Sequence, residues 1–371
     1  MPPLKPYKLS FKGGLHLGTR GINLAESAEF IPSDTLFSAL LDVWNRLGED
    51  VAEFVEPYED ANPPFLLTSA FPFAGGVRFF PMPADLNRIF KDKLNDKDWR
   101  KNLRKIRYFS EGLLRKALAG DVLDLNLFPP KRTEKVENGV ALQKGQVWLL
   151  KDEVKKLPKH LQEDKKGNKR ALKALYYLDL WKNGEVPRVT IDRIAQTSTL
   201  YHAGRVSFAE ECGLWFGVQW NDESGTYPAD FLRCLENLQY EGLGGERSSG
   251  YGAFEYKEEK DFSLPSAKSG EAGYTLSRYH PTKDELPDAL SEKNAAYKLV
   301  NVGGWLHTHA KADQRRKKLW MLEAGSIIQV SDEIQGSLTD TKPKYKSDVP
   351  EFPHPVWRYG FALPIKFAEV K

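Results

Sequence analysis

Cysteine is nearly missing from this chain: only Cys212 and Cys234 occur among 371 residues, in no C-x-x-C spacing. That excludes a disulfide framework and a cysteine zinc site, and predicts two reduced packing thiols. No apolar run approaches the ~20 residues needed to cross a bilayer. The opening Met1-Pro2-Pro3-Leu4-Lys5-Pro6 lacks the apolar centre of a signal peptide, so a cytoplasmic protein with no membrane contact is expected. Net charge is scarce too, at +3, too small to identify a nucleic-acid partner by itself. The familiar nucleotide signatures are absent from the dense glycine run at 242–252, where no Lys-Ser or Lys-Thr follows and no G-x-G-x-x-G reads through. No cofactor is indicated. His307-Thr308-His309 is too close-set for a helical ligand pair and has no carboxylate or cysteine nearby, so no metal site is expected.

What is present suits a folded protein with a large core: 12% aromatic and 28% charged residues. Charge is segregated along the chain. Asn87 to Lys116 holds eleven Lys/Arg against four Asp/Glu, Lys151 to Lys173 nine against four, and Glu49 to Asp60 six carboxylates and no base. Such segregation implies separate surfaces for an anionic ligand and a basic partner, or simply solvated faces.

The chain centres on Gly242-Leu243-Gly244-Gly245-Glu246-Arg247-Ser248-Ser249-Gly250-Tyr251-Gly252. Five glycines permit positive φ and close approach. Arg247 and two serines add donors, so the loop reads either as a phosphate cradle or as a tight structural turn. Upstream, Pro228 near a helix start and Phe231, Leu232, Leu235 and Leu238 on one face predict a helix that Gly242 stops. Downstream, Tyr251 to Tyr256 reads as a strand. A helix-to-strand glycine loop is the reverse of the dinucleotide and P-loop order.

Elsewhere, Tyr7 to Lys12 alternates as a strand with Lys8, Ser10 and Lys12 on its open face. Ser33, as N-cap, and Asp34 open a helix whose apolar face is Leu36, Phe37, Leu40, Leu41, Trp44 and Leu47. The second strand is placed at Arg188 to Arg193, which makes about 50–186 an insertion. Within it lie a basic amphipathic helix candidate, Asp98 to Ala119, a hairpin turning at Asn138-Gly139, and an exposed basic loop, Lys165 to Arg170. Strands at Arg205 to Glu210 and Leu214 to Trp220 complete the order β-α-(insertion)-β-β-α-β. The expected fold is α+β: a ferredoxin-like (RRM-like) domain over 1–257, with an antiparallel sheet whose second face is free to bind RNA, and a degenerate second ferredoxin-like domain over 258–371.

Four patches in order along the chain carry a resemblance: Ile31 to Leu40, Pro187 to Arg193 with Gln196-Thr197-Ser198 and Tyr201-His202, Gly244 to Gly252, and His354 to Gly360. Together they resemble the RAMP superfamily of CRISPR proteins, and within it the fourth Csm subunit of type III-A effector complexes. That resemblance implies a non-catalytic subunit that grips the 5′ handle of the guide RNA (crRNA), docks on the large polymerase-palm subunit and caps the filament of backbone RAMP subunits. A thumb-like hairpin at Ile194 to Gly204 is implied as well.

RNA contacts are expected from Lys12, His16, Arg20, Arg193, Gln196, Thr197, Gly244, Gly245, Arg247, Ser248, Ser249 and Gly250, with Lys12, Arg20, Arg193, Arg247 and the loop amides on phosphates, and base stacking from Tyr201, His202 and Tyr251. His16 stands where some RAMP ribonucleases keep a catalytic histidine. An alternative is therefore an endoribonuclease that processes guide precursors with His16, alone or paired with His202, as acid and base. Another is the equivalent handle-binding subunit of a type III-B complex. The backbone subunits' catalytic aspartate between first strand and first helix has no counterpart, since Thr19 to Ile31 offers only Glu26 and Glu29.

Overall fold

The computed structural model describes residues 3–18, 27–127, 137–192, 197–222, 225–267, 271–291, 293–306, 314–343 and 352–368, with only the backbone described at 190–192, 197, 199 and 305. Strand β1 (Lys5–Phe11) leads to helices α1 (Ser33–Arg46) and α2 (Val51–Glu59), then to strands β2 (Phe65–Leu67), β3 (Phe71–Ala74) and β4 (Val77–Pro81). Helices α3 (Asp92–Asn95) and α4 (Lys97–Leu103), strand β5 (Tyr108–Ser110), α5 (Glu111–Leu118), β6 (Gly139–Leu142), β7 (Val147–Leu150) and α6 (Lys159–Gln162) follow. A ribbon of β8 (Trp181–Asp192) and β9 (Thr197–Phe208) precedes β10 (Cys212–Trp220), α7 (Tyr227–Glu241) and β11 (Phe254–Glu258). The remainder holds β12 (Ala272–Thr275), α8 (Leu286–Ala289), β13 (Leu299–Val302), β14 (Trp305–Leu306), β15 (Gln314–Arg315), β16 (Leu319–Leu322), β17 (Ile327–Gln329), β18 (Leu338–Asp340), β19 (Trp357–Tyr359) and β20 (Pro364–Lys366).

One sheet organises the first two-thirds, in the order β11-β1-β10-β3-β4-β5-β7-β6, with β2 also pairing with β10. All its pairings are antiparallel except that of β5 with β7. The strand beside β10 is therefore supplied by residues 65–74, directly after the helices, and not by Arg188 to Arg193. The extra chain lies between β3 and β10 instead of over 50–186. Phe65-Leu66-Leu67 and Phe71-Pro72-Phe73-Ala74 are buried throughout. They show no alternation, and periodicity alone could not identify them as strands.

The expectation of a free sheet face is also overturned. β10 is buried from Cys212 to Val218 on both sides. Trp215 packs its ring on Phe80 and Phe262 and donates its indole N–H to the Phe79 carbonyl. Lys8, placed by its alternation on the open face, is buried with its ammonium on the Gly75 carbonyl and on Glu259. The extra chain has covered the face that an RNA-recognition sheet would leave bare.

Smaller departures have local causes. Asp98 to Ala119 is not one helix: α4 stops, β5 intervenes, and Ser110 caps α5 through the Leu113 amide. Its named apolar residues Trp99, Leu103, Ile106, Leu113 and Leu114 are nevertheless all buried. β6 and β7 do form a hairpin, but it turns at Gln143 to Gly145, where three successive residues take positive φ. Gly139 is required elsewhere, since a Cβ there would lie 1.6 Å from the Asn126 carbonyl oxygen. In α1 the N-cap is Pro32, with no side-chain cap; Ser33 and Asp34 are buried and engaged by the distant second half. Beyond residue 258 the only helix among the described residues is the single turn α8. Short antiparallel sheets, β17-β12-β20, β13-β16, β14-β15 and β18-β19, fill the rest.

Cys212 and Cys234 are free and buried, and burial pushes their thiols up to about 12 and about 11. Among the described residues no helix is long and apolar enough to cross a membrane, and no cluster of ligands could hold a metal ion.

Candidate nucleic-acid interface

The glycine run is built against the segment that follows β1. Gly245 donates its amide to the His16 carbonyl (2.9 Å) and Gly252 to that of Gly14 (2.8 Å). A Cβ on Gly244, at φ +92°, would sit 2.3 Å from the His16 oxygen, and one on Gly252, at φ +80°, 2.0 Å from the Leu243 oxygen. These glycines allow two backbones to touch, where any larger residue would separate them. The amides of Ser249, Gly250 and Tyr251 also donate inside the loop. The expected cradle of free amides is therefore not formed at Gly245 and Ser249 to Gly252; what the loop presents outward is the exposed turn Arg247 to Gly250.

Across the same segment, Leu15 pairs with Val206 of β9 through both amides, and Arg205 lays its stem over Gly14. The ribbon is thus fixed at its base to the glycine loop. Arg188 lies over the Tyr251 ring at 4.9 Å, and its Nε is 3.7 Å from a Glu246 carboxylate oxygen. Arg205 approaches the same ring at 5.9 Å. Tyr251 is only 6% exposed. It supports two guanidinium groups instead of offering a free stacking surface. Among the described residues β8 and β9 pair with no other strand than each other, over twelve residues each, apart from the Leu15–Val206 bridge. The ribbon's strands occupy 181–192 and 197–208, more than the 194–204 hairpin expected, and opposed Val189 and Leu200 are exposed on them.

Loop, ribbon base and α1 form one wall of a cleft of about 3330 Å³, and β13, β16 and the 352–358 segment form another. Ten Lys/Arg line it against four Asp/Glu. Arg46 and Arg247 share Asp42 and Glu241, but Arg247 is 4.0 Å from each carboxylate and keeps more than a third of its side chain exposed. At the floor, Asp34 accepts hydrogen bonds from Arg278 (3.2 Å) and Arg358 (2.9 Å), while Glu323 takes the rest of the Arg278 guanidinium. Burial lowers the Arg358 pKa, opposed by Asp34; burial would also lower that of Arg278, but Asp34 and Glu323 outweigh it and raise it.

Lys12 is exposed and paired with Glu255. His16 is 5% exposed, its Nδ1 on the Gly204 carbonyl. His202 is exposed on the ribbon near Glu185, and Tyr201 stands opposite Arg188. No hydrogen bond joins the two imidazoles among the described residues. Arg20, Arg193, Gln196 and the His307–His309 pair lie outside the described residues, as does the Thr197 side chain. Glu29, one of the two carboxylates before α1, is buried between Arg107 and Tyr108. Arg188, Arg205, Arg278, Arg358 and the whole second wall were not among the expected contacts.

The four sequence patches meet in pairs: the first joins the last at Asp34–Arg358 and at the Phe37–Tyr359 stack, and the second joins the third at Arg188–Tyr251. Residues 268–367 match the family model described as the CRISPR Csm4 C-terminal domain. Relatives described as CRISPR system Cms protein Csm4 occur in Mycobacterium tuberculosis H37Rv (31% identical over 44% of this chain) and in Methanocaldococcus jannaschii (23% over 94% of this chain and 90% of the relative). The chain spans about half the length of the M. tuberculosis relative. In fold it is similar to a chain of the Csm3–Csm4 subcomplex of the type III-A CRISPR-Cas interference complex, with TM-score 0.64 and 19% identity over 98% of this chain and 99% of that one. It is similar also to a chain of the Csm1–Csm4 cassette bound to cA4, with TM-score 0.51 and 18% identity over 99% of both. By class, then, the last part of the chain matches a CRISPR protein family and the whole chain shares the fold of solved CRISPR subunits. Within that class the similarity is to Csm4.

Proposed function

We propose that the chain is the guide-RNA handle subunit of a type III-A effector, a non-catalytic scaffold that binds the 5′ handle and bridges the large polymerase-palm subunit to the backbone filament. One observation carries it: a cleft with ten Lys/Arg and four Asp/Glu, rimmed by the glycine turn and the ribbon base. A positive groove with adjacent aromatic groups is what a single strand held through its phosphates requires. The Csm4 names of the family model and the relatives support type III-A over the III-B equivalent. The strand order β11-β1-β10-β3, with α1 and α7 packed together, supports a ferredoxin-like unit within 1–257. Support for a scaffold over a nuclease comes from His16, whose ring is buried and held by a carbonyl, and from Glu29, which is consumed by Arg107 and Tyr108.

Purified full-length chain should bind a single-stranded handle RNA and leave repeat RNA intact. Arg247→Ala should weaken that binding and reduce its salt dependence by about 0.7 in the log–log slope, one phosphate contact on a single strand. Cleavage of repeat RNA at one position, abolished by His16→Ala, would establish the endoribonuclease instead.

A further inference from the structure

The second wall adds cations to the cleft on which the handle-binding proposal rests, but that proposal assigns no role to any single residue there. Residues 315–320 read Arg-Arg-Lys-Lys-Leu-Trp. Arg315, Arg316, Lys318 and Trp320 line the cleft, and Lys317 and Leu319 do not. From Arg316 onward the lining residues are alternate ones, as an extended segment with one face on the cleft must give. Trp320 is 60% exposed and stands opposite Asn301 in the β13–β16 pair, with Lys298 also on the cleft. An indole this open, on a wall with four cationic residues, is an available stacking face.

Arg316 adds a separate observation. Its Nε is buried with no hydrogen-bond partner, and no carboxylate among the described residues forms an ion pair with its guanidinium. The two acids nearest the floor of the cleft are already committed, Asp34 to Arg278 and Arg358, and Glu323 to Arg278. Three guanidinium groups therefore face two carboxylates. Burial, and then the like charge of Arg358, push the Arg316 pKa down to about 9, against the attraction of Asp34. A partly buried cation without a counter-ion is destabilising for the free protein, and an anion arriving from the cleft would remove that penalty.

We propose that Arg316, Lys318 and Trp320 form a nucleotide subsite on the second wall, in which Arg316 binds a backbone phosphate of single-stranded RNA and Trp320 stacks on an adjacent base. It rests on the proposal that the cleft holds the guide strand, and places one nucleotide of that strand against the β13–β16 pair.

The test measures affinity of the full chain for a short single-stranded RNA and for an abasic strand of equal length. Trp320→Ala should weaken binding of the base-bearing strand about tenfold and leave the abasic strand unchanged, with Trp320→Phe restoring most of the loss. Arg316→Gln should weaken both strands and lower the salt slope by about 0.7. The same variant, without RNA, should melt at a temperature equal to or above that of the parent, because it removes an unpaired charge. Unchanged affinity in both variants, with Arg247→Ala still impaired, overturns the subsite while the handle proposal stands. Equal weakening of both strands by Trp320→Ala overturns the stacking role. A free 5′-mononucleotide that binds as tightly as the strand overturns strand recognition here. No binding of RNA by the parent chain overturns both proposals.

Discussion

Asp34, buried beneath the cleft, ties its two walls together. It is fully buried and accepts one hydrogen bond from each of two arginines that lie more than 240 residues away in sequence. Replacing it by Asn keeps the shape but leaves Arg278 and Arg358 facing each other with one fewer negative charge. We expect Asp34→Asn to cost about 3–5 kcal/mol, the range for stranding a buried partner, read from the urea midpoint at unchanged m-value. Glu111 offers a pH-dependent counterpart. Burial raises its pKa, but Arg78 and Arg115 outweigh that and hold it below its ordinary 4.5. Its stabilising contribution is complete above pH 4.5 and is lost as pH falls through the lower folded value. Parent and Glu111→Gln should therefore differ in stability at neutral pH and converge as pH drops below 4.5 in an acid titration of the unfolding free energy. The two thiols give a third residue-scale expectation: buried and pushed up to about 12 and 11, neither should react with a thiol reagent at neutral pH until the chain is unfolded.

At the scale of elements, the glycine loop and the ribbon behave as a pair of braces on one short segment, residues 13–17. The glycines there differ in what a methyl group would meet. Gly252→Ala and Gly244→Ala drive a Cβ into a carbonyl oxygen and impose a left-handed φ, whereas Gly250→Ala meets open space and imposes only the φ. Gly250→Ala should cost about 1 kcal/mol, the left-handed penalty alone, and the other two clearly more, in a series of urea melts. This order is the reverse of what exposure of a phosphate cradle would give, since the cradle's outermost glycine is the one that tolerates change. The loop's position between α7 and β11, and the apolar face of α7, were legible from Pro228, Leu235, Leu238 and Gly242, because turn chemistry and helical period act locally. Its amides were not: whether they point at solvent or at His16 is settled by the segment after β1, more than 220 residues upstream. For the same reason β2 and β3 escaped notice, their wholly apolar sequences carrying no period. The run at 315–320 did carry a compositional signal, four bases with a tryptophan two positions on, but the sequence does not alternate and which of its residues face the cleft was not legible.

For the whole molecule, the question is whether residues 258–371 are a domain that stands alone. The match of 268–367 to a family model invites that boundary, and charged residues 257–261 read as a link. Packing points the other way. Phe37 stacks on Tyr359 at 5.0 Å, the Leu67 amide donates to the Tyr359 hydroxyl, Tyr274 donates to the Pro81 carbonyl and the Ser69 amide to that of Leu276. One apolar cluster runs from Leu4 through Tyr359 to Phe367. Cutting at 258 would expose that interface on both pieces and strand Arg278 and Arg358 without Asp34. The second piece would be left with sheets of two and three strands and one helical turn among its described residues, too little covered surface for a cooperative fold. Expressed alone, residues 258–371 should therefore give no cooperative thermal transition and should bind a dye that reports exposed apolar surface, while the intact chain melts in a single step. Mixing the two pieces should restore part of the transition, because the contacts that join them are the ones each lacks. A sharp melt from 258–371 by itself would show that the tie at Asp34 links two independent folds, and Asp34→Asn would then loosen the cleft without lowering the stability of either half.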